Sequence, residues 1–555
     1  MAKKRTSKLR LIPLGGLGEI GKNMLVVEYG RDTLVIDAGL MFPEEEMLGI
    51  DLVLPDYSYL KKNRERVRAI ILTHGHEDHV GSLPYILKEV KVPLYGTRLT
   101  LGLVRGKLEE YDLTDVDLRE ISPKNSLQIG QFKLEFIRVC HSIPDGVGLA
   151  IHTPVGTIVH SGDFKLDQTP IDGRATQLDK FASLGERGVL ALLSDSTNAE
   201  TPGYIPSERI VGRALVDIFK QAKKRIIVAS FASHIHRIQQ VANVTFRSKR
   251  KLAISGLSMM NNIEIASKLG YLKIPDGLLI NIREIDKYPP REVVVMSTGS
   301  QGEPLSALSK MASGEHKWIK IVPGDTVILS ASPVPGNEKS VAQTIDRFFK
   351  RGANVFYETI SPVHVSGHAA QEELKLMIGL VKPKYFIPIH GEYRHLKHHT
   401  DLAKEMGIPP ENILLAENGS IIEFTDSSAQ IKERVSVGTI LVDGLGVGDI
   451  GDIVLRDRLL LSTDGIFIVI VAVSADTGEI VAGPDVVSRG FIYVREAGEL
   501  IEEAKECVQS ILEQCAERGV TDWTVLKTDV RNTLRKFLYD KTQRRPMIMP
   551  IIVEV

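Results

Sequence analysis

Short apolar runs separated by turn residues fill the first part of the chain. Residues 9–14, 24–29 and 33–36 are apolar enough to be strands, and glycines follow the first two of them. The spacing of apolar residues becomes helical at 83–90, and alternation returns at 132–139. This pattern predicts an antiparallel sheet at the start of the chain, followed by helices and further strands.

Between about residues 207 and 371, strands alternate with helices. Residues 225–231 form a continuous apolar run, and a helix is predicted to open over 232–237. Further buried strands are predicted at 293–296, 326–329 and 354–357. Continuous apolar strands joined by helices are typical of a parallel sheet that is covered on both faces. The pattern therefore predicts an α/β domain here.

The last hundred residues return to strands, at 466–473, 491–494 and 547–553. Two amphipathic helices are predicted between the second and third of these strands. We interpret this part as a small α/β domain that carries no chemistry. The apolar positions of the first helix follow helical spacing and indicate a core face; they are Leu500, Ile501, Ala504, Val508, Ile511, Leu512 and Cys515.

Composition limits the class of protein. The chain has 555 residues, too many for one core, with 25% charged and 43% hydrophobic residues and a net charge of -1. The longest apolar run, residues 466–473, is far too short to cross a membrane. The basic start is followed by no apolar segment of the kind that a secretory signal has. The three cysteines form no Cys-x-x-Cys pair, so we expect a reducing, cytoplasmic setting.

A glycine-rich segment near the start imitates a dinucleotide-binding motif. Residues 16–21 read Gly-Leu-Gly-Glu-Ile-Gly, and Asp37 follows at about the right distance for a ribose contact. That motif needs a helix directly after the glycines to hold the pyrophosphate. Here residues 24–29 are predicted to be a strand, so we do not interpret the segment as a nucleotide site.

The chemistry of the chain is concentrated in residues 74–79, His-Gly-His-Glu-Asp-His, directly after an apolar strand at 69–72. Three imidazoles and a carboxylate within six positions can hold two divalent metals side by side. Nitrogen and carboxylate ligands suit zinc, or manganese where oxygens dominate. The alternative is a solvated polar loop, which we reject because these four side chains seldom coincide at this spacing.

Further candidate ligands follow other strands. His141 comes after the strand at 132–139, Asp163 follows an apolar run ending at His160, and His390 follows the run 385–389. A carboxylate such as Asp163 has two oxygens and could bridge two metals. Singly, each histidine is more often structural than functional, and we expect His160 to pack or to bond locally. Together they form a pattern.

These residues resemble the metallo-β-lactamase superfamily, and specifically its nucleic-acid-processing branch with an inserted β-CASP domain, the ribonuclease J family. The resemblance spans the whole chain. Its motifs are Gly-Gly-Leu-Gly-Glu-Ile-Gly-Lys-Asn at 15–23, Ile-Asp-Ala-Gly at 36–39, the histidine turn at 74–79, His-Ser-Ile-Pro-Asp at 141–145, Ser-Gly-Asp-Phe-Lys at 161–165, Ser-Asp-Ser-Thr-Asn at 194–198, Ser-Gly-His at 366–368 and Pro-Ile-His-Gly-Glu at 388–392.

The resemblance implies an α/β fold, in which two packed mixed sheets flanked by helices form an αββα sandwich. The β-CASP α/β domain is inserted into this sandwich, and a small α/β domain ends the chain. The implied boundaries are 1–207 for the first part of the sandwich, 208–371 for the insertion, 372–430 for the second part, 431–450 for a linker and 451–555 for the last domain.

The family also implies roles for particular residues. Two Zn²⁺ ions are implied, with Mn²⁺ or Mg²⁺ as alternatives. Asp37 would orient a ligand, His368 would protonate or stabilise the leaving oxygen, and Asp195 would support the site. The implied ligands of the first metal are His74, His76 and His141, those of the second are Asp78, His79 and His390, and Asp163 bridges.

A phosphate pocket is implied in the cleft beside the inserted domain. Ser233 at a helix start would bind a 5′ monophosphate, although it could equally be a simple helix cap. We expect His236 and Arg237 to line the RNA path. The other residues assigned to substrate binding are His234, His364, Ser366 and Gly367.

The activity implied is metal-dependent hydrolysis of single-stranded RNA from 5′-monophosphate ends in the 5′-to-3′ direction, with endonuclease activity as well, in RNA maturation and decay. The last domain would assemble homodimers or homotetramers, and a paralogous subunit could join them. Two alternatives remain open. One is a DNA-directed β-CASP nuclease, and the other is a non-catalytic partner subunit, which would be expected to lack ligands in the histidine turn. Here that turn is intact.

Overall fold

The computed structural model of the chain describes residues 8–44, 46–299, 306–333, 337–425, 428–474, 479–492, 498–520 and 522–555. Within these ranges the chain divides into two compact units, one formed by residues 1–44 and 52–440 and the other by 45–51 and 441–555. No helix in the described part is long and apolar enough to cross a membrane.

The first 195 residues contain most of the strands of the larger unit. The strands are β1 (Leu9–Gly15), β2 (Leu17–Gly18), β3 (Met24–Tyr29), β4 (Asp32–Ile36), β5 (Leu52–Pro55), β6 (Val67–Ile71), β7 (Leu94–Gly96), β8 (Leu118–Glu120), β9 (Ser126–Ile129), β10 (Phe132–Arg138), β11 (Val147–Thr153), β12 (Gly156–His160) and β13 (Val189–Asp195). The helices are α1 (Ser58–Lys62), α2 (Glu77–Val80), α3 (Leu83–Glu89), α4 (Arg98–Glu110) and α5 (Leu178–Arg187).

The inserted part alternates strands and helices as predicted. Its strands are β14 (Ile226–Ala229), β15 (Lys251–Ser255), β16 (Leu279–Ile280), β17 (Val293–Ser297), β18 (Thr326–Leu329) and β19 (Asn354–Phe356). Its helices are α6 (Arg209–Gln221), α7 (Ile235–Arg247), α8 (Leu257–Lys268), α9 (Ala307–Ser313) and α10 (Glu338–Lys350).

The chain then returns to the first layers. The helices there are α11 (Gln371–Val381) and α12 (Tyr393–Glu405), and the strands are β20 (Pro383–Ile389), β21 (Gly391–Glu392), β22 (Ser420–Phe424) and β23 (Ala429–Arg434). The remaining strands are β24 (Thr439–Asp443), β25 (Gly446–Val447), β26 (Ile466–Val473), β27 (Ile480–Arg489) and β28 (Met547–Glu554), with helices α13 (Asp452–Asp464), α14 (Gly498–Glu517) and α15 (Trp523–Thr542).

Two mixed sheets form the sandwich, which confirms the predicted αββα fold. One has the order β23-β22-β1-β3-β4-β6-β7-β8 and the other β20-β13-β12-β11-β10-β9. Val27, Leu34 and Leu134 belong to the apolar layer between the two sheets. A second apolar layer covers the first sheet under α3 and α4, and a third covers the second sheet under α5, α11 and α12. The burial of both faces explains the continuous apolar runs of the inner strands.

The inserted domain is a parallel sheet with the order β16-β15-β17-β14-β18-β19, and all neighbouring pairs are parallel. The sequence predicts four of these strands and misses β15 and β16. Apolar clusters cover both faces of the sheet. The chain enters the insertion after β13 and returns to pair β20 beside β13 in parallel register. The insertion therefore lies between two neighbouring strands of the sandwich.

The smaller unit has a three-stranded sheet with the order β27-β26-β28, packed against α14 and α15. The predicted strand at 491–494 is wrong in its described part, since Phe491 and Ile492 are not in a strand; residues 493 and 494 lie outside the described ranges. The third strand is β27 instead, whose alternation is interrupted by Gly483 and Pro484. Residues 431–450, expected to be a linker, include β24 and β25.

Candidate metal centre

The candidate ligands follow the ends of strands that meet at one edge of the sandwich. The histidine turn connects β6 to α2, His141 follows β10, Asp163 follows β12, and His390 follows β20. His390 has a φ of 53°, a left-handed conformation that is uncommon outside glycine. The strained backbone directs this side chain toward the other ligands, which is typical of functional sites.

Three ring nitrogens converge in a first cluster. His76 Nδ1 lies 3.0 Å from His74 Nε2 and 3.1 Å from His141 Nε2. Burial lowers the pKa of His74 and His141 well below the usual value, and neighbouring histidines lower it further. The nearby carboxylate of Asp163 would raise the pKa, but its effect is smaller. Burial likewise lowers the pKa of His76 to about 4, although Asp78 opposes it. These imidazoles are therefore neutral at neutral pH, and each has a lone pair for a metal.

Two carboxylates and two imidazoles form a second cluster. Asp163 Oδ2 lies 2.9 Å from His390 Nε2 and 3.1 Å from His79 Nε2, and Asp78 Oδ2 lies 3.5 Å from both of these nitrogens. Burial alone would raise the pKa of Asp163, but His390 and His79 hold it well below its usual range. Asp163 Oδ2 is also 3.8 Å from His74 Nε2, so it lies between the clusters.

Two of the proposed ligands are oriented by oxygens behind them. Asp37 accepts hydrogen bonds from Thr73 N at 2.8 Å and from His79 Nδ1 at 2.8 Å. An ionised carboxylate only accepts, so Nδ1 of His79 carries a proton, and Nε2 has a lone pair for a metal whenever the ring is neutral. His141 Nδ1 likewise donates to the carbonyl oxygen of Gly367 at 2.8 Å. Both imidazoles therefore hold a proton on the nitrogen that points away from the clusters.

His368 and Asp195 form a pair beside the clusters. His368 Nδ1 donates to Asp195 Oδ2 at 2.8 Å, and the His368 ring lies 4.8 Å from the His141 ring between centroids. Burial would lower the pKa of His368, but the charge and hydrogen bond of Asp195 outweigh it and raise that pKa to about 9. His368 is therefore protonated at neutral pH, and its Nε2 proton is available for donation.

The residues of the two clusters fit divalent metals. Each cluster brings its ligand atoms within 4.8 Å of one another, and five imidazoles with two carboxylates are the donors that zinc and manganese accept. The fit also rests on an unusual feature of the second cluster. Two carboxylates are packed there with two imidazoles in a buried space, which is costly unless positive charge is added.

The structure gives two of the residues expected to contact RNA other partners. His234, not Ser233, caps α7, because its side chain accepts from Arg237 N. His234 is 1% exposed, so it faces a buried cluster rather than open solvent. Arg237, expected along the RNA path, is 0% exposed and donates to Glu208. Ser233 is half-buried at the start of α7.

The loop after β19 makes contacts with the sandwich. Ser366 Oγ accepts from Asn198 Nδ2 at 2.8 Å, and Gly367 approaches His141 so closely that a Cβ there would lie 2.8 Å from the His141 ring. His364 is half-buried, and its buried Nδ1 has no hydrogen-bond partner among the described residues. An open pocket adjoins His141, and its lining includes Lys165 and His236.

Several contributing residues escaped the sequence analysis. Asn23 Nδ2 donates to the backbone oxygen of Asp78 at 3.1 Å and lies 3.2 Å from His79 Nε2. Asn198 donates to the backbone oxygen of His368 at 2.9 Å. Asn23 is the last residue of the motif at 15–23, and Asn198 is the last residue of the motif at 194–198. The roles expected of these motifs rest on their glycines or acidic residues. His160, as expected, bonds locally by accepting from Gly162 N.

Comparison with known families agrees with this geometry. "Metallo-beta-lactamase superfamily" matches residues 17–195, "Ribonuclease J, beta-CASP domain" matches 223–348, "Zn-dependent metallo-hydrolase RNA specificity domain" matches 354–413, and "Ribonuclease J C-terminal domain" matches 453–555. Ribonuclease J2 of Bacillus subtilis (strain 168) is 49% identical over 556 residues, covering 100% of both chains. The chain belongs to the ribonuclease J family.

A second member of the ribonuclease J family, Ribonuclease J 1 of Streptococcus pyogenes serotype M3, is 45% identical over 99% of this chain and 98% of its own. A crystal structure of a protein of unknown function from Enterococcus faecalis V583 matches 75% of this chain and 100% of that one, at 16% identity and a TM-score of 0.53. This likeness concerns the fold alone. Family membership identifies the chain as a metallo-hydrolase of the β-CASP nuclease type, which implies divalent metal binding.

Proposed function

We propose that this ribonuclease J family protein hydrolyses phosphodiester bonds of single-stranded RNA. It would act as a 5′-to-3′ exonuclease that prefers 5′-monophosphate ends, and also as an endonuclease, in RNA maturation and decay. The observation that carries the proposal is the convergence of seven ligand residues and the His368–Asp195 pair at one edge of the sandwich. The RNA substrate rests on the names of the relatives and of the specificity domain.

The metals, for which we propose two Zn²⁺ ions with Mn²⁺ or Mg²⁺ as alternatives, would supply a nucleophile at neutral pH and neutralise phosphoryl charge. His74, His76 and His141 would hold one ion, and Asp78, His79 and His390 the other, with Asp163 shared. Asp37 and Gly367 keep His79 and His141 in the ligating tautomer.

His368 would supply the proton that the leaving oxygen takes up. A water oxygen bonds to phosphorus, and the bond from phosphorus to the 3′ oxygen breaks. The departing oxygen takes the Nε2 proton of His368, while Asp195 holds Nδ1 and stabilises the protonated ring. The attacking water gives up a proton to solvent, and His368 takes a proton from solvent before the next cycle. The products are a 3′ hydroxyl and a 5′ phosphate. A fresh 5′ phosphate is the end that the proposed exonuclease prefers, so each cleavage would prepare the next.

The 5′ phosphate is proposed to bind near the start of α7 and the loop 364–367. Ser233 and half-buried His364, whose Nδ1 has no partner among the described residues, support this placement because both can form hydrogen bonds to a phosphate. Ser366 and Gly367 support the loop through Asn198 and His141. His234 would act indirectly, since it caps α7.

The test is digestion of a single-stranded RNA with a 5′ monophosphate or a 5′ triphosphate. Metal-loaded protein should release mononucleotides from the 5′ end, faster from the monophosphate, and Asp78→Ala with His79→Ala should abolish release. A His76→Gln variant keeps the size of the side chain and guards against a folding artefact. If metal-loaded protein leaves RNA intact and degrades single-stranded DNA, the substrate assignment is wrong; if it degrades neither, the partner-subunit alternative is favoured.

We further propose that the protein assembles as a homodimer or homotetramer through the 441–555 unit, can associate with a paralogous subunit, and works in the cytoplasm. The exposed apolar residues Val481, Met549 and Val553 on the three-stranded sheet support the assembly proposal. Light scattering of the full chain, alone and mixed with a paralogue, tests it. A monomer at micromolar concentration would contradict it.

A further inference from the structure

Three short segments of the inserted domain are basic and contain no acidic residue. They are residues 223–225 (Lys-Lys-Arg), 247–251 (Arg-Ser-Lys-Arg-Lys) and 347–351 (Arg-Phe-Phe-Lys-Arg). They lie at or just before the starts of β14, β15 and β19. Because these strands are parallel, the three segments lie at the same edge of the sheet, which we call the amino edge.

The amino edge is opposite the edge that carries the proposed substrate contacts. Ser233 follows the carboxyl end of β14, and the loop with His364 follows the carboxyl end of β19. The strands β14, β15 and β19 have four, five and three residues, so the edges are on the order of 10–17 Å apart at about 3.3 Å per residue. Along the edge, β15 and β19 are separated by four strand spacings, or roughly 19 Å.

Few of these cations are neutralised. Arg225 pairs with buried Asp325. Lys224 donates to the carbonyl oxygen of Pro323, Arg250 to that of Ala222 and Lys224, and Arg351 to that of Ala312. Carbonyl oxygens satisfy these donors without cancelling their charge. The bonds explain why some basic residues are here, but they leave the edge positive.

Five other cations at this edge have no such structural explanation. They are exposed, and no carboxylate in the described ranges lies within 4.0 Å of them. Two aromatic side chains are exposed among them, Phe246 at 55% and Phe349 at 49%. Exposed cations with interleaved aromatic rings are typical of surfaces that bind single-stranded nucleic acid by backbone charge and base stacking. The five cations are Lys223, Arg247, Lys249, Arg347 and Lys350.

The net charge of the chain strengthens this argument. The whole protein carries a formal charge of -1, yet the three segments hold ten basic residues and no acidic one. Such asymmetry attracts a polyanion and repels other basic surfaces. A few of these cations at helix ends would be ordinary, since the carboxyl end of a helix favours positive charge. Positive charge at the starts of three strands, β15, β14 and β19, along one edge exceeds that requirement.

We propose that the amino edge of the inserted sheet binds the phosphate backbone of RNA, independently of sequence and away from the metal centre. The choice of RNA rests on the proposed function. A long RNA would contact the catalytic edge and the amino edge together, whereas an RNA of a few nucleotides would reach the catalytic edge alone. The amino edge would therefore increase affinity for long substrates.

The test replaces four of the exposed cations by glutamine: Lys223→Gln, Arg247→Gln, Lys249→Gln and Lys350→Gln. Fluorescence anisotropy measures the Kd for labelled 5-nucleotide and 40-nucleotide RNAs, using the full chain in a His76→Ala background, which removes a proposed metal ligand and so prevents cleavage. We expect the Kd of the 40-mer to rise about tenfold or more, with the salt dependence of log K becoming shallower by roughly 3. The Kd of the 5-mer should not change.

A matched control removes four exposed lysines of the sandwich, with Lys62→Gln, Lys91→Gln, Lys124→Gln and Lys133→Gln. This control changes the net charge by the same amount as the edge variant. Because its four lysines lie on the sandwich and not at the amino edge, it should leave both Kd values unchanged. Equal weakening by the control would overturn the proposal, as would an unchanged 40-mer Kd in the edge variant. A changed oligomeric state in light scattering with an unchanged Kd would show that the edge binds protein instead.

An error in the proposed function would give different results from an error in the proposed docking surface. Cleavage assays use the same edge variant without His76→Ala. If the parent protein cleaves no RNA but the edge variant still loses 40-mer affinity, the catalytic assignment is wrong and the docking surface stands. If the parent protein cleaves RNA and the edge variant binds and cleaves the 40-mer as its parent does, the docking surface is wrong and the function stands.

Discussion

Gly367 has no side chain, and the position of the His141 ring requires this. A Cβ at residue 367 would lie 2.8 Å from Cε1 and Nδ1 of His141, closer than nonbonded carbon atoms approach. The carbonyl oxygen of the same residue accepts the Nδ1 proton. One glycine thus both leaves room for the proposed ligand and fixes its tautomer, so its importance comes from close approach and not from an unusual φ.

Gly367→Ala should reduce activity at least tenfold, because His141 must move away from the first cluster. Metal content by mass spectrometry should fall below that of the parent protein. Gly438→Ala is the matched control, since no heavy atom lies within 4 Å of a Cβ there. Equal activity in Gly367→Ala and Gly438→Ala would contradict the proposed role.

His368→Gln removes the proposed proton donor but keeps a polar side chain beside Asp195. We expect kcat to fall about 10²- to 10⁴-fold, the usual contribution of a general acid. Metal content should be unchanged, because His368 is not among the seven proposed ligands. A leaving group with a low pKa needs no proton, so an activated p-nitrophenyl phosphodiester should lose much less rate. Equal losses on both substrates would argue for a structural role.

At the scale of elements, α7 is tied to the loop before His368 by a buried arginine. Arg237 donates to Glu208 Oε1 at 2.7 Å, and to the backbone oxygens of Ser330 and Val363 at 2.9 Å each. Val363 starts the loop that ends at His368. The inserted sheet therefore holds one end of this loop, while the sandwich holds the other through Asn198.

Arg237→Met should lower the free energy of unfolding by about 3 kcal/mol, because Glu208 is left buried without its closest cation. Chemical denaturation measures this. Adding Glu208→Gln removes the buried charge, so the double variant should be more stable than Arg237→Met alone. Additive losses from the two substitutions would show that the pair is not energetically coupled.

The sequence predicts the proposed ligands better than the residues that hold them in place. His74, Asp163 and His390 each follow an apolar strand, and strand ends meet at one edge, so their convergence can be inferred from local pattern. Asn23 and Arg237 act through contacts with residues far along the chain, and nothing in their neighbourhood shows this. Arg237 in particular looks like a surface cation in sequence, although its guanidinium is fully buried.

The strands likewise divide into those that the sequence predicts and those that it misses. Continuous apolar runs gave β14, β17, β18 and β19, because a parallel sheet buries both faces. The two-residue β16 is too short to leave a pattern. At the end of the chain, the alternation of β27 is broken by Gly483 and Pro484, and the more apolar residues at 491–494 were predicted in its place.

For the whole molecule, the two clusters of candidate metal ligands predict that nuclease activity and thermal stability both depend on bound metal. Removing metal with a chelator should abolish nuclease activity and lower Tm, because ligand binding to the native state adds RT ln(1 + [L]/Kd) to its stability. Adding Zn²⁺ or Mn²⁺ back should restore both, and the metal that restores more activity identifies the better cofactor. An unchanged Tm after complete removal would contradict metal binding at these buried clusters.

The strand β20, which pairs with β13, follows the insertion in the chain. The proposed ligand His390 is therefore separated in sequence from the histidine turn by the whole inserted domain. During synthesis, all of residues 74–79 leave the ribosome some three hundred residues before His390 does. The second cluster and the loop of His368 are completed only after the inserted domain has been made. Until residue 390 has been made, a nascent chain attached to its message lacks a complete set of the proposed ligands, and the order of residues along the chain delays the activity that could cut that message.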